Sequence, residues 1–390
     1  MAFEYESDLS FIWRAPTKVI FGNKSSTLEV ESELDSLGVD KALLVTDTFL
    51  AGHEMVANVK KAMGRRLAGV YDKCEPDSGL HLIEAGAAVA REVGATGVVS
   101  IGGGSSIDTA KGIAILIHKG GSIRDYDGIN MLGGKVAPHI AIPTTAGTGS
   151  EVTYAAVVKD HEANAKILIC DWNLIPDVAL LDPTLLVGLP AKITAHTGID
   201  ALTHAIEGMH SMQREPIADA AALHAMRLVD RYLKRCIDKP DDLVARGQML
   251  VAANLAGAAF GNAQVGLVHA MAHTVGARFK IPHGLANSIA LPHVIRHNAE
   301  VCADVYAEAA KTLGLAEDGM SDADASEALA QHCYTLAGEL GMEQKYSDVG
   351  VTEDALPELA ELTLHDGALV YNPRPTFDPD EVLELWKKAY

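Results

Sequence analysis

Between residues 15 and 187, short apolar, β-branched runs alternate with stretches of helical spacing. Lys18–Gly22 (KVIFG) predicts a strand and Lys41–Asp47 (KALLVTD) a clearer one. Leu80–Val93 combines helical spacing with good helix formers, and leads through Gly94-Ala95-Thr96 to a short apolar strand at Val98–Ile101. His139–Thr145 (HIAIPTT) and Val178–Asp182 (VALLD) read as further buried strands. Strands alternating with helices imply parallel pairing and an α/β domain. After Leu189-Pro190 the pattern changes to alanine-rich helical stretches that run to the C-terminus, with loops at Asp238–Asp242 and Gly314–Ser321. The switch near Val187 sets the expected boundary: an α/β domain over residues 1–187 and an all-α domain over residues 188–390. The chain shows no internal repeat and no low-complexity tract.

Within the helical half, Gly266–Pro292 (GLVHAMAHTVGARFKIPHGLANSIALP) carries three histidines in a mostly apolar or small setting. His269 and His273 are four apart, so a helix puts them on one face. His283 lies between Pro282 and Gly284, where a helix is expected to break and a loop to turn the side chain back. Upstream, Asp200 and His204 in GIDALTHAIEG form a second i, i+4 pair on another apolar helix. One histidine on an apolar face is usually a satisfied core residue. Four histidines with an aspartate are harder to explain singly, because a buried aspartate needs a partner. Two helices each presenting a polar pair, with one more histidine closing the set, is how a helical core builds a metal site.

The α/β half has a candidate anion site. After Val98–Ile101 comes Gly102-Gly103-Gly104-Ser105-Ser106, and a helical run follows from Ile107. A glycine-rich turn from strand into helix aims backbone N–H groups and the positive helix end at an anion; as a plain reversal it also only needs glycine. The turn fits neither GxGxxG, since Ile107 holds the last position, nor a phosphate-binding GxxxxGK[ST] loop, since Lys111 stands between Ala110 and Gly112. Asp47 ends its strand where a carboxylate can accept hydrogen bonds from a ribose diol and repel a 2′-phosphate, which favours NAD over NADP. The same residue also suits a helix cap. Pro143–Glu151 (PTTAGTGSE) is a hydroxyl- and glycine-rich loop after a buried strand, suited to line a nucleotide site or to serve as a plain loop.

Composition narrows the function classes. The 390 residues are 48% hydrophobic and 22% charged, enough for two globular domains. A formal charge of −20 with no basic stripe argues against a nucleic-acid partner, and any phosphate-bearing ligand must be held by local backbone groups. The N-terminal MAFEYESDLSF lacks the basic and apolar regions of a signal peptide, and no run reaches the roughly 20 apolar residues of a membrane helix. The five scattered cysteines, without a CxxC, read as reduced thiols in a cytoplasmic protein.

Together, GGGSSIDTAK, IPTTAGTGSEVT, TGIDALTHAIE and GLVHAMAHTVGARFKIPHGLANSIALPH resemble the iron-containing (group III) alcohol dehydrogenases, from KVIFG to Asn372-Pro373-Arg374. The resemblance implies a dehydroquinate synthase-like fold: an N-terminal dinucleotide-binding α/β domain, a helical C-terminal domain and an active site in the cleft between them. It makes Asp200, His204, His269 and His283 the ligands of one divalent metal, and sets His273 beside the nicotinamide without binding metal. Gly102, Gly103, Gly104 and Ser105 would hold the NAD pyrophosphate and Asp47 the adenosine ribose, with Thr144, Thr145, Thr148 and Lys166 lining the rest. Two departures stand out. Pro76-Asp77-Ser78 replaces a PNP motif common in the family. Ala155 and Ala368 lie where relatives place polar or larger groups, and with Phe260 they imply an apolar substrate pocket.

The implied activity is hydride transfer between NAD(H) and a small primary alcohol or its aldehyde, in a homo-oligomer of at least two subunits. A metal held by three imidazoles and one carboxylate acts as a Lewis acid that lowers the alcohol's pKa. His273 is then either the proton carrier or a structural neighbour. The ligand types suit Fe(II), Zn or Co, and the family favours iron. Alternatives are a diol or hydroxyaldehyde dehydrogenase (1,3-propanediol, lactaldehyde or glycerol type), a glycerol dehydrogenase or dehydroquinate synthase relative, a metal-dependent hydrolase, and a non-catalytic binder.

Overall fold

The computed structural model describes residues 9–76, 79–160 and 165–390, so the N-terminal MAFEYESD together with Asp77 and Ser78 lies outside the described residues. Contacts divide the chain into two units, one over residues 15–187 and one over residues 188–390 that also takes in residues 9–14. Asn262 holds that short segment: its amide accepts from the Arg14 N–H at 2.8 Å and donates to the Arg14 carbonyl at 3.0 Å.

The α/β unit runs β1 (Lys18–Phe21), α1 (Ser25–Leu28), α2 (Val30–Ser36), β2 (Ala42–Asp47), α3 (Glu54–Met63), β3 (Leu67–Cys74), α4 (Leu80–Val93), β4 (Gly97–Gly102), α5 (Gly104–His118), β5 (Gly128–Ile129), β6 (His139–Pro143), β7 (Ala155–Asp160), β8 (Ala165–Cys170) and β9 (Val178–Leu181). Six strands form one parallel sheet in the order β1-β9-β6-β4-β2-β3. The central strands are buried over nearly their whole length, which is why they read as continuous apolar runs. Beside this sheet α4 and α5 dock closely on each other: a Cβ at Gly112 would come 2.6 Å from Ile83, and one at Gly86 would overlap Ile113. That docking fixes the helix whose first turn contains the glycines.

Two features here were not anticipated from the sequence. The helix after the glycine turn starts at Gly104, inside the turn and three residues before Ile107. A second small sheet, β5-β8-β7, contains an antiparallel hairpin over residues 155–170. Its two paired strands, AAVVKD and AKILIC, are as long as β2, but β7 alternates buried with more exposed positions.

The helical unit comprises α6 (Ala191–His210), α7 (Pro216–Asp238), α8 (Leu243–Ala263), α9 (Leu267–Phe279), α10 (His283–Thr312), α11 (Asp322–Glu339), α12 (Leu356–Leu364) and α13 (Pro379–Ala389). From Thr194 to His210, α6 is almost entirely buried, packed by α7, α8 and α10. By length and composition α8 passes for a membrane span, yet most of it is buried inside the fold. It also carries Arg246, which is 1% exposed and donates to Thr194 Oγ1 at 2.7 Å and to the carbonyls of Pro240 and Leu189. It is a core helix.

His283 does not sit in a loop as expected. It is the first residue of α10, with Pro282 at the N-cap. Proline suits a helix start because the first turn's N–H groups have no intrahelical partner. Gly284 is required for a different reason: a Cβ there would overlap the backbone carbonyl of His196 on α6. Replacing it, as in Gly284→Ala, must push α10 away from α6. We expect a destabilisation of about 1–3 kcal/mol, the usual cost of overpacking, read as a lower denaturant midpoint; an unchanged midpoint would contradict this packing.

Candidate metal centre and nucleotide cradle

Asp200, His204 and Glu207 lie on one face of α6 at i, i+4 and i+7. All three are buried, at 3%, 5% and 0% exposure. Helix α9 adds His269, and the start of α10 adds His283. The Nε2 atoms of His204, His269 and His283 lie 3.9, 4.0 and 3.5 Å from Asp200 Oδ1. Ligands of a tetrahedral ion with bonds near 2.1 Å are about 3.4 Å apart, so small inward movements suffice. Ligand atoms of Asp200, His269 and His283 all fall within 4.8 Å of one another.

Charge makes the same point. Among the described residues the ion-pair partners of Asp200 are these three histidines alone. Burial holds His269 well below its usual pKa, aided by the charges of His204 and His273. Desolvation likewise pushes His283 down, although its outer edge reaches solvent. Neutral imidazoles leave lone pairs for a metal and leave the buried carboxylate without a cation. The donor set therefore fits a divalent ion.

Further groups orient these ligands. Asn287, fully buried and one turn after His283, donates from Nδ2 to Asp200 Oδ1 at 2.8 Å. Glu207 pairs with His269 Nδ1 through Oε2 and accepts the Val268 N–H on Oε1 at 2.7 Å. The His204 ring stacks between Phe260, at a centroid distance of 4.1 Å, and His269 at 4.7 Å. His273 stacks on His283 at 5.5 Å, and its Nδ1 lies 2.9 Å from Asp366 Oδ2. The other Asp366 oxygen accepts from Ala368 N–H at 2.9 Å, capping the turn Gly367–Tyr371. Phe260 and Ala368 are half-buried in this unit, whereas Ala155 is half-buried on β7 of the α/β unit.

In the α/β unit, β4 delivers Gly102 and Gly103 to the start of α5, a helix with no side-chain cap and no acidic residue in its first turn. The first-turn N–H groups and the dipole of such a helix start favour an anion. The threonine loop lies on this turn: a Cβ at Gly104 would come 2.8 Å from Thr148 and one at Gly103 3.4 Å from Thr145 Oγ1, while Thr144 N–H donates to the Gly102 carbonyl at 2.9 Å. Ser105 is half-buried in the first turn. Asp47 does cap the next turn, through Oδ1 to Leu50 N–H at 2.8 Å, and its Oδ2 lies on the Gly102 side. Lys166 pairs with Lys159 in the hairpin, and its side chain lies outside the described residues.

Lys111 anchors the loop to α5. Fully buried, it donates to Ser150 Oγ at 3.0 Å, Thr153 Oγ1 at 3.2 Å and the Ala155 carbonyl at 2.7 Å. Burial lowers its pKa, opposed by Asp108, which lies 3.7 Å away and accepts from Ser150 Oγ at 2.5 Å. Glu207, Asn287, Asp366 and Lys111 were not singled out from the sequence. Glu207 had a signal, since it continues the Asp200, His204 face, and Lys111 is a lysine inside an apolar helix. Asp366 had none, because its partner is 93 residues away.

Comparison with known proteins places both units. Residues 16–183 match the family model for iron-containing alcohol dehydrogenase, and residues 194–390 match the C-terminal model of the Fe-containing alcohol dehydrogenase family. The chain is 38% identical to 1,3-propanediol dehydrogenase of Citrobacter freundii over 97% of its own length and 99% of that protein. It is also 38% identical to the NAD-dependent methanol dehydrogenase of Bacillus methanolicus, over 92% of this chain and 94% of the other. A solved structure of 1,3-propanediol oxidoreductase superposes with a TM-score of 0.95 at 37% identity, covering 98% of this chain and 100% of that one.

The Lys111 anchor has a measurable consequence. Lys111→Met leaves three buried acceptors without their donor, at a cost of about 2–4 kcal/mol. A lower urea midpoint is expected, with dinucleotide affinity weakened and bound metal per chain unchanged. An unaltered midpoint and unaltered dinucleotide affinity would show that the lysine does not hold the loop.

Proposed function

The chain belongs to the iron-containing alcohol dehydrogenase family, and from that premise we propose that it transfers a hydride between NAD(H) and a small primary alcohol or its aldehyde. Asp200, His204, His269 and His283 hold one divalent metal; the ligand types suit Fe(II), Zn or Co, and the family favours Fe(II). The observation that carries this reading is the approach of three imidazole nitrogens to one buried carboxylate oxygen at 3.5–4.0 Å. When bound, the metal supplies Lewis acidity toward a substrate oxygen, and the nicotinamide takes or gives the hydride.

The chain's own residues do the rest. Asp366 retains the proton on His273 Nδ1, which leaves Nε2 free to accept the proton that alcohol oxidation releases. Phe260 keeps water from one face of His204. The N–H groups of Gly102, Gly103, Gly104 and Ser105 hold the pyrophosphate, as a chain of formal charge −20 requires of its backbone. Thr144, Thr145, Thr148 and Lys166 line the cofactor, and Asp47 offers Oδ2 to the adenosine ribose while Oδ1 stays with its cap.

The family resemblance would put Ala155, Phe260 and Ala368 near the substrate, and none of the three carries a hydrogen-bonding side chain, which supports simple primary alcohols. A second reading, a diol or hydroxyaldehyde substrate, is favoured by the likeness to 1,3-propanediol dehydrogenase. The five cysteines are all free and buried, which supports a reducing, cytoplasmic setting, with no nucleic-acid or membrane partner and a homo-oligomeric state as further parts of the proposal.

The test is NADH formation by anaerobic, Fe(II)-loaded protein with a panel of alcohols. We expect kcat/KM for 1-propanol or 1-butanol to exceed that for 1,3-propanediol by about tenfold, since an unmatched hydroxyl in an apolar pocket costs 1–2 kcal/mol. His269→Ala should abolish turnover. A preference for the diol would select the second reading, and turnover surviving in His269→Ala would overturn the metal assignment.

A further inference from the structure

We infer that Glu207 is the positioning residue of the metal centre: its carboxylate fixes the tautomer and orientation of His269 and thereby sets how tightly the metal is held. The inference rests on the ligand assignment above, and it concerns a residue that touches neither metal nor substrate.

Glu207 is fully buried on the same face of α6 as Asp200 and His204. Two N–H donors converge on its two oxygens. His269 Nδ1 meets Oε2, and the Val268 backbone N–H meets Oε1 at 2.7 Å. Val268 lies in the first turn of α9, a helix with no side-chain cap of its own, so Glu207 supplies that cap from a neighbouring helix. Gly266 lies beside this contact: a Cβ there would crowd Asn372 Oδ1 at 3.1 Å and meet Glu207 Oε1 at an ordinary 3.4 Å. One side chain thus fixes the start of α9 against α6 and the rotation of His269 within it.

The chemistry demands a carboxylate. Burial raises the Glu207 pKa, but a donor on each oxygen favours the ionised form, which is acceptor-only and satisfies both at once. With the proton held on Nδ1, His269 keeps its lone pair on Nε2, the atom that lies 4.0 Å from Asp200 Oδ1. The negative partner also makes that nitrogen a stronger donor to a metal. Glutamine, nearly the same shape, has one acceptor. If its oxygen faces His269, its NH₂ opposes the Val268 N–H. If its NH₂ faces His269, Nδ1 becomes the acceptor and the proton moves to Nε2, which then cannot bind metal. His204 shows the contrast: its Nδ1 is buried and has no hydrogen-bond partner among the described residues, so only stacking on Phe260 and His269 holds that ring.

The experiment compares the metal-stripped full-length wild type with Glu207→Gln, titrating Co(II) against a chromophoric chelator and NAD on the same samples. Co(II) affinity should fall 10–100-fold in the variant, the usual effect of losing such a partner, with NAD affinity unchanged. The visible band of the Co(II)-loaded variant should weaken severalfold as water replaces an imidazole. Co(II) affinity within twofold of wild type, or an unchanged band, overturns the proposal. Should Glu207→Gln not fold, Glu207→Asp takes its place: it keeps both acceptors but sets them one methylene short. At least a fivefold loss of Co(II) affinity then sustains the role, and a smaller change overturns it. A wild type that takes up no Co(II) would instead refute the metal centre itself.

Discussion

A carboxylate buried among imidazoles is the constraint on which the helical unit depends. Asp200 is 3% exposed, and its ion-pair partners among the described residues are three histidines, two of which burial drives toward the neutral form. An uncompensated buried charge costs several kcal/mol, so the arrangement calls for a cation from outside the chain. Three separate helices must be held in register to present the ligands. Much of the surrounding structure serves that end: Gly284 lets α10 close on α6, Glu207 ties the start of α9 to α6, and Asn287 steadies the carboxylate.

The α/β unit meets the opposite electrostatic demand. An acidic chain needs local positive potential to hold an anionic cofactor, and in the proposed site that would come from backbone dipoles at the start of α5, which has no side-chain cap. Its most deeply buried cation, Lys111, gathers two hydroxyls and a carbonyl and so holds the threonine loop to α5. Each unit therefore uses buried charges whose hydrogen bonds shape its candidate site.

Legibility in the sequence followed the range of the interactions. Asp200 with His204 and His269 with His273 could be seen because helical periodicity is local, and the Gly102–Ser106 turn because glycine is demanded by the backbone itself. The strands of the parallel sheet stood out because burial on both faces makes them continuous apolar runs. The hairpin of β7 and β8 did not, since the buried/exposed alternation of β7 is not matched by any apolar/polar alternation in AAVVKD. His283 was misplaced in a loop because Pro-Gly punctuation marks helix starts as well as breaks. Asp366 escaped notice because its partner lies 93 residues away, and Glu207, although it continues the Asp200, His204 face, because only the tertiary fold brings it to His269, 62 residues on.

Fe K-edge X-ray absorption on anaerobically Fe(II)-loaded protein tests the central claim most directly. The expected result is one iron per chain in a shell of nitrogen and oxygen at about 2.0–2.2 Å, with the outer-shell scattering of three imidazoles and no sulfur. His269→Ala should remove one imidazole from that pattern. A shell of water oxygens without imidazole scattering, or any sulfur ligand, would contradict it.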